Sequence, residues 1–203
     1  MASAESREGP PTAKRAAVQA AVLRATEDLL AEGASYADLN IERIATRAGI
    51  SRTAFYFYFR DKRELLMRLT EDVNELLFAQ ADIWFSGSGD PEQEMREALR
   101  NIGQLYREHG VLLRAIVEVS TYDEDVATFW RGLLGRFVDA TRRRIEAEQE
   151  AGRAAPTQAH ATAFALCWMT ERSFYQQLVQ ESAPSADDLV EALSGIWVRS
   201  VYV

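Results

Sequence analysis

The sequence predicts an all-α protein of about nine helices. Along most of the chain, apolar residues recur at intervals of three and four, which gathers them on one face of a helix. Glycine and proline are sparse, at 11 and 5 of 203 residues, which disfavours a β fold with many turns. No segment has the pattern of a credible strand. We therefore expect helices throughout, arranged as a three-helix N-terminal domain and a larger C-terminal bundle.

The chain begins with a segment, residues 1–13, that contains acidic residues and prolines but no apolar core. We expect a disordered tail there, no signal peptide, and a cytoplasmic protein, since no apolar run reaches the roughly 18 residues of a membrane span. The first helix is predicted from about Lys14 to Ala31, with Gly33 after it. Its buried stripe consists of Val18, Ala21, Val22, Ala25 and Leu29.

Residues 39–65 predict two short helices joined by a tight turn, followed by the start of a longer helix. Asn40 and Ser51 are N-caps for the two short helices, because their side chains can accept from free backbone N–H groups. Gly49 stands between the helices, where the chain must turn left-handed and glycine does so without steric cost. This is the pattern of a helix-turn-helix, in a predicted DNA-binding domain of residues 14–66.

The second motif helix has an unusual outer face. With Phe55 at the centre of its buried side, Phe59 lies beside it, and Thr53 and Phe57 point the opposite way. A face with a hydroxyl, a phenol, a cation and a bare phenyl ring needs a partner, which is either the major groove of DNA or another domain. We predict DNA contacts for Arg43, Arg47, Ser51, Arg52, Thr53, Ala54, Tyr56, Phe57, Tyr58 and Lys62.

These contacts have different expected roles. Thr53 can bond a base edge or a phosphate, and Phe57 can pack on a thymine methyl. Tyr56 and Tyr58 are expected to donate to phosphates. Lys62 lies in the first turn of its helix, where a cation opposes the helix dipole, so its presence suggests a nearby phosphate. The exposed Arg43 and Arg47 either reach phosphate or are simply solvated.

Six further helices follow. The first of them, residues 62–85, opens with a capping box of Asp61 and Glu64 and is expected to link the domains as a rigid lever. Asp90 and Pro91 start the next after a Ser/Gly-rich loop. The remaining segments predict helices over residues 91–109, 111–119, 123–151, 157–181 and 184–203, within a domain of residues 67–203.

The net charge of −8 is unevenly distributed. Residues 1–68 carry 11 basic and 9 acidic residues, a net charge of +2, whereas residues 69–203 carry a net charge of −10. The acidic part would be repelled by phosphate, so DNA contact should be confined to the first segment.

The motif residues resemble the N-terminal domain of the TetR family of transcriptional regulators, and the aromatic run resembles its EthR-like branch. The resemblance rests on Ile44-Ala45, Ala48-Gly49-Ile50-Ser51, Phe55-Tyr56-Phe57-Tyr58-Phe59 and Lys62, Leu65 and Leu66. It implies a homodimer formed through the last two helices, a phosphate contact for Lys62, and a long, largely hydrophobic ligand channel inside the C-terminal bundle.

The C-terminal aromatic residues are either a plain core or the lining of an apolar pocket between helices. The resemblance favours the pocket. We predict ligand contacts for Ile102, Tyr106, Trp130, Leu134, Phe137, Cys167, Thr170, Phe174 and Trp197.

Glu171 and Arg172 interrupt an apolar helix, and we expect both at a partly wet helix or subunit boundary, with a ligand contact as the alternative. We expect no cofactor, no metal site and no enzyme activity, since the two histidines, His109 and His160, have no ligand or catalytic spacing around them. The function predicted is a ligand-responsive transcriptional regulator, a repressor released from a palindromic operator by an apolar small molecule. The alternative is a helical small-molecule carrier or enzyme bundle that does not bind DNA.

Overall fold

The computed structural model describes residues 12–202, with side chains from Lys14 onward, and within that range it forms nine α-helices and no strand. The all-α prediction is confirmed. The helices are α1 (Thr12–Ala31), α2 (Ile41–Arg47), α3 (Arg52–Phe55), α4 (Lys62–Phe85), α5 (Pro91–Glu108), α6 (Gly110–Ser120), α7 (Glu124–Glu150), α8 (Ala159–Val179) and α9 (Ala186–Tyr202).

The described chain divides into two compact units between Leu66 and Met67, a point that lies inside α4. In the first unit α1 packs on α2, and α2 packs on α3. The tail predicted for residues 1–13 lies outside the described residues, apart from the last two, which begin α1. The core of this unit consists of Val22, Leu29, Leu30, Tyr36, Leu39, Ile44, Phe55, Phe59, Leu65 and Leu66.

The second motif helix is shorter than the sequence pattern suggests. Helix α3 ends at Phe55, and the backbone then tightens, because Phe57 N and Tyr58 N donate to the carbonyls three residues back. Phe59 N returns to the carbonyl of Phe55, four residues back, at 3.0 Å. This 3₁₀-like turn keeps the helical sense of rotation, so the inward and outward sides of the segment persist to Phe59.

The second unit is a helical bundle in which α7 packs on α6 and α8, and α5 packs on α8 and α9. The C-terminal part of α4 joins it through a bond from Asn101 Nδ2 to Gln80 Oε1 at 2.9 Å, and through an ion pair between Arg136 and Glu75. None of the helices within residues 12–202 combines the length and apolarity required to cross a bilayer.

Candidate nucleic-acid interface and ligand cavity

The turn of the helix-turn-helix is held by the caps that the sequence predicts. Asn40 Oδ1 accepts from Arg43 N at 2.8 Å, and Ser51 Oγ accepts from Ala54 N at 3.0 Å. Gly49 has a φ of +71°, in the left-handed region. A Cβ added at Gly49 would meet no neighbouring atom within 4 Å, so the reason for glycine here is the backbone conformation alone.

The aromatic run alternates between core and solvent. Phe55 and Phe59 are 0 % and 2 % exposed, with ring centroids 5.4 Å apart, whereas Phe57 is 74 % exposed. Of the ten predicted DNA contacts, Ala54, Tyr58 and Lys62 are half-buried and the other seven are exposed. The unit therefore presents a phenyl ring to solvent on a short, well-anchored turn.

The two arginines of α2 are in different situations. Arg43 is exposed, and its backbone N–H is used by the Asn40 cap. Arg47 Nη2 donates to both carboxylate oxygens of Glu32, at 2.8 and 2.9 Å. Because this ion pair is exposed, it contributes little to stability and can exchange Glu32 for another anion.

Lys62 makes intramolecular contacts that the sequence did not predict. Its ammonium donates to the carbonyls of Tyr36, Ala37 and Leu39, at 2.7, 3.0 and 2.8 Å. An ammonium has three hydrogens, so these bonds leave none for a phosphate. Burial lowers the pKa of Lys62, and Asp38 partly offsets that effect. In this structure Lys62 ties the segment between α1 and α2 to the start of α4.

The second unit contains a cavity lined by all nine of the predicted ligand contacts. The space open to the centre of a water molecule is about 70 Å³, so the cavity is small. Its walls include Trp84 against Trp197, with ring centroids 5.6 Å apart, and Tyr106 stacked on Phe174 at 5.2 Å. Sequence reasoning missed the lining residues Asn74, Leu77, Ala81, Trp84, Phe85, Met95, Ala98, Leu99 and Thr141, and gave a ligand contact for Glu171 only as the alternative.

Two pairs of polar groups in the cavity wall contact each other. Trp197 Nε1 donates to Thr170 Oγ1 at 2.8 Å, and Thr141 Oγ1 lies 3.4 Å from Cys167 Sγ. Burial raises the pKa of the Cys167 thiol to about 11, so it remains protonated at neutral pH and is not a nucleophile. Burial also raises the pKa of Tyr106, assisted by the charge of Glu171, so the phenol remains neutral.

Glu171 and Arg172 differ sharply in environment. The expectation of a partly wet boundary is wrong for Glu171, which is 3 % exposed and lines the cavity. Arg172 is exposed, and its guanidinium lies over the ring of Tyr175 at 4.9 Å. Adjacent residues on a helix point about 100° apart, so one can enter the cavity while the next faces out.

The last two helices leave apolar side chains uncovered. Phe164 of α8 is 53 % exposed and Ile196 of α9 is 38 % exposed.

Among the described residues, no three His, Cys, Asp or Glu side chains are placed to hold a metal ion.

Comparisons with known proteins match two segments of the chain to protein families. Residues 22–69 match the family described as "Bacterial regulatory proteins, tetR family", and residues 95–203 match "Transcriptional regulator EthR, C-terminal domain". The HTH-type transcriptional regulator EthR of Mycolicibacterium smegmatis is 32 % identical over 191 residues, which cover 91 % of this chain and 86 % of that protein.

Solved structures share the fold at low identity. A TetR-family regulator from Syntrophomonas wolfei superposes with a TM-score of 0.76 at 18 % identity, covering 94 % of this chain and 96 % of that chain. FadR from Bacillus subtilis, in complex with stearoyl-CoA, superposes with a TM-score of 0.74 at 12 % identity, covering 90 % and 99 %. The family and the related sequences are transcriptional regulators and not enzymes. The chain belongs to the TetR family of DNA-binding transcriptional regulators, in its EthR-like branch.

Proposed function

We propose that the chain is a ligand-responsive repressor that acts as a homodimer in the cytoplasm. Residues 39–59 read one half of a palindromic operator, and an apolar small molecule in the cavity of the second unit releases the protein from DNA. The observation that carries the DNA-reading half is the exposure of Phe57, 74 %, on a turn whose caps and core are complete. A phenyl ring costs free energy in water, so its exposure on such a turn favours a partner that covers it.

The bound DNA would be read by a small set of side chains. Phe57 would pack on a thymine methyl, and Thr53 would bond a base edge or a phosphate. Tyr56 and Tyr58 would donate to phosphates and set the register of the unit on the duplex. Arg43, Arg47 and Arg52 would lie close enough to phosphate to add a salt-dependent attraction. For Lys62 we propose a supporting role, since its three hydrogens are already engaged.

The effector half of the proposal rests on the lining of the cavity. Aromatic and aliphatic side chains from α4, α5, α7, α8 and α9 enclose it. A ligand releases DNA if it binds the conformer with mis-spaced recognition helices more tightly than the DNA-binding conformer. A tenfold loss of operator affinity requires only about 1.4 kcal/mol of such preference. Helix α4 is the transmitter we propose, because it contributes residues to the cavity wall and also begins in the first unit.

A gel-shift assay on the DNA upstream of the gene tests the DNA-reading half. We expect a specific complex, and we expect Tyr56→Phe with Phe57→Ala to weaken it at least about tenfold, through the loss of a phosphate bond and a methyl contact. Tyr122→Ala, which removes an exposed aromatic ring outside the first unit, is the matched control and should bind normally. No specific complex at low salt, or equal affinity of the double variant and the control, would refute the proposal.

A homodimer through α8 and α9 is a separate prediction. Phe164 and Ile196, which are exposed in the single chain, would be covered in the interface. We expect Phe164→Glu with Ile196→Glu to raise the dimer dissociation constant at least about a hundredfold, because each change buries an uncompensated charge. Sedimentation equilibrium measures it, with Tyr122→Glu as the control for an added surface charge. Unaltered sedimentation of the double variant would place the interface elsewhere.

A further inference from the structure

The carboxylate of Glu171 is not explained by a purely apolar effector. The side chain is 3 % exposed and lines the cavity, and neither of its oxygens has a hydrogen-bond partner in the part of the chain that the structure describes. A buried carboxylate without hydrogen-bond donors is costly, because it has lost its bonds to water and no donor has replaced them. It therefore marks a position where a bound molecule would complete the hydrogen bonding.

The charged and titratable groups around Glu171 do not supply the missing hydrogen bonds to its carboxylate. Arg172 Nε lies 3.7 Å from Glu171 Oε2, which is too far for a hydrogen bond. The guanidinium is half exposed and lies over Tyr175, so it offsets part of the charge from one side. From α5, the buried Tyr106 phenol interacts with the charge of Glu171 and stays neutral.

The rest of the wall favours a particular kind of occupant. The hydroxyl of Thr170 already accepts from Trp197, whereas Asn74 Nδ2 and Trp84 Nε1 are two further buried wall atoms without a hydrogen-bond partner among the described residues. Trp84, Trp130 and Trp197 present indole rings to the cavity. Aromatic faces attract cations as well as apolar groups, so a positive charge is tolerated beside Glu171 better than in a purely aliphatic pocket.

We infer that the cavity takes an amphiphilic amine, with its apolar body between the aromatic walls and its protonated nitrogen donating to the Glu171 carboxylate. This inference rests on the ligand-binding role proposed above and names the class of that ligand. An alcohol of the same length would fill the same apolar space and donate one hydrogen bond to the carboxylate, without the attraction between opposite charges that an ammonium adds. A carboxylate of the same length would be repelled by Glu171.

The test compares three slender probes that differ only at the head group: octylamine, octan-1-ol and octanoate. Binding to the full-length protein is followed by tryptophan fluorescence, since three tryptophans line the cavity. We expect the amine to bind at least about tenfold more tightly than the alcohol, and octanoate to bind most weakly. In Glu171→Gln the affinity for octylamine should fall to that for octan-1-ol, and the affinity for octan-1-ol should stay the same. Glu150→Gln removes an exposed carboxylate from α7 and should retain the preference.

The pH dependence of the same preference gives a second readout. Burial raises the pKa of Glu171, and Arg172 partly counteracts this. As the pH falls through that raised pKa, the carboxylate gains a proton and loses the negative charge that attracts the ammonium. The amine itself stays protonated over this range, so its affinity should fall towards that of the alcohol, which should not change. This profile is measured on the unaltered protein, so it tests the bond between the amine and Glu171 even if Glu171→Gln does not fold.

The outcomes separate this inference from the proposed function. Equal affinity for amine and alcohol in the unaltered protein overturns the inference and leaves the apolar cavity intact as a ligand site. A preference for amine that survives Glu171→Gln in the folded variant also overturns it. If none of the three probes binds, the ligand-binding role of the cavity fails, and the inference fails with it.

Discussion

Phe55→Ala is expected to lower the free energy of unfolding of the first unit by about 3–5 kcal/mol, the usual result of deleting a fully buried phenyl ring. Phe55 is 0 % exposed, and its ring contacts those of Tyr56 and Phe59 at centroid distances of 5.7 and 5.4 Å. Small domains have only about 5–15 kcal/mol of stability in total. Because the first unit is small, the variant should therefore lose most of its folded population near physiological temperature.

Hydrogen exchange on the full-length protein measures this effect within the first unit, without interference from the larger second one. Phe57→Ala is the matched control: the same chemical change, two residues away, at a side chain that is 74 % exposed. We expect its stability to change by less than about 0.5 kcal/mol. Both variants should lose DNA binding, but Phe55→Ala should do so by unfolding and Phe57→Ala by losing a contact. Equal destabilisation by the two would show that the inward and outward sides are wrongly assigned.

Lys62→Met should lower the free energy of unfolding of the first unit by about 2–3 kcal/mol. This is less than the sum of three hydrogen bonds from a charged donor, because the site is only partly buried. The substitution keeps much of the length of the side chain and removes the donor from three carbonyls at once. Lys62→Arg should rescue part of the loss only, since a planar guanidinium cannot direct its hydrogens as an ammonium does. Hydrogen exchange between α1 and α2 measures the change, and Arg43→Met, at an exposed cation, is the control for loss of charge.

The same variant also distinguishes a structural role of Lys62 from a phosphate contact, when its DNA binding is measured at several salt concentrations. If Lys62 contacts a phosphate, the DNA affinity of Lys62→Met should depend less steeply on salt than that of the unaltered protein, by about one unit of slope. We expect Lys62→Met, studied at a temperature where it is folded, to keep the slope of the unaltered protein. Full stability combined with a shallower slope would restore the phosphate contact and remove the structural role.

The local features of the DNA-reading unit were predictable from the sequence. The caps Asn40 and Ser51 and the left-handed Gly49 act on atoms within four residues, so residue type and spacing are sufficient to locate them. The inward and outward sides of the aromatic run follow from 100° per residue. The length of α3 was not predictable in this way, because the end of the helix depends on backbone bonds from Phe57 and Tyr58 to carbonyls three residues back.

The cavity shows where sequence periodicity becomes insufficient. An apolar stripe indicates that a helix is buried, and together with the resemblance to the EthR-like branch it selected cavity-lining residues on α5, α7, α8 and α9. It does not indicate which stripe faces a void and which faces another helix, so the contribution of α4, including Trp84, was missed. That distinction depends on the packing of side chains that are distant in sequence.

Lys62 and Glu171 are the positions at which tertiary structure decided the surroundings of a residue whose type was already informative. The sequence alone determined the class of fold from its apolar periodicity, and the helix-turn-helix from its caps and Gly49, and the motif residues carry the resemblance to the family. At these two positions it shows only a cation at the start of α4 and an acid–base pair within an apolar helix. Which acceptors surround the ammonium, and which of two adjacent charges turns into the cavity, depend on segments 23 or more residues away and on neighbouring helices. Electrostatic partners are set by distance in space, and only the folded chain brings those groups within reach.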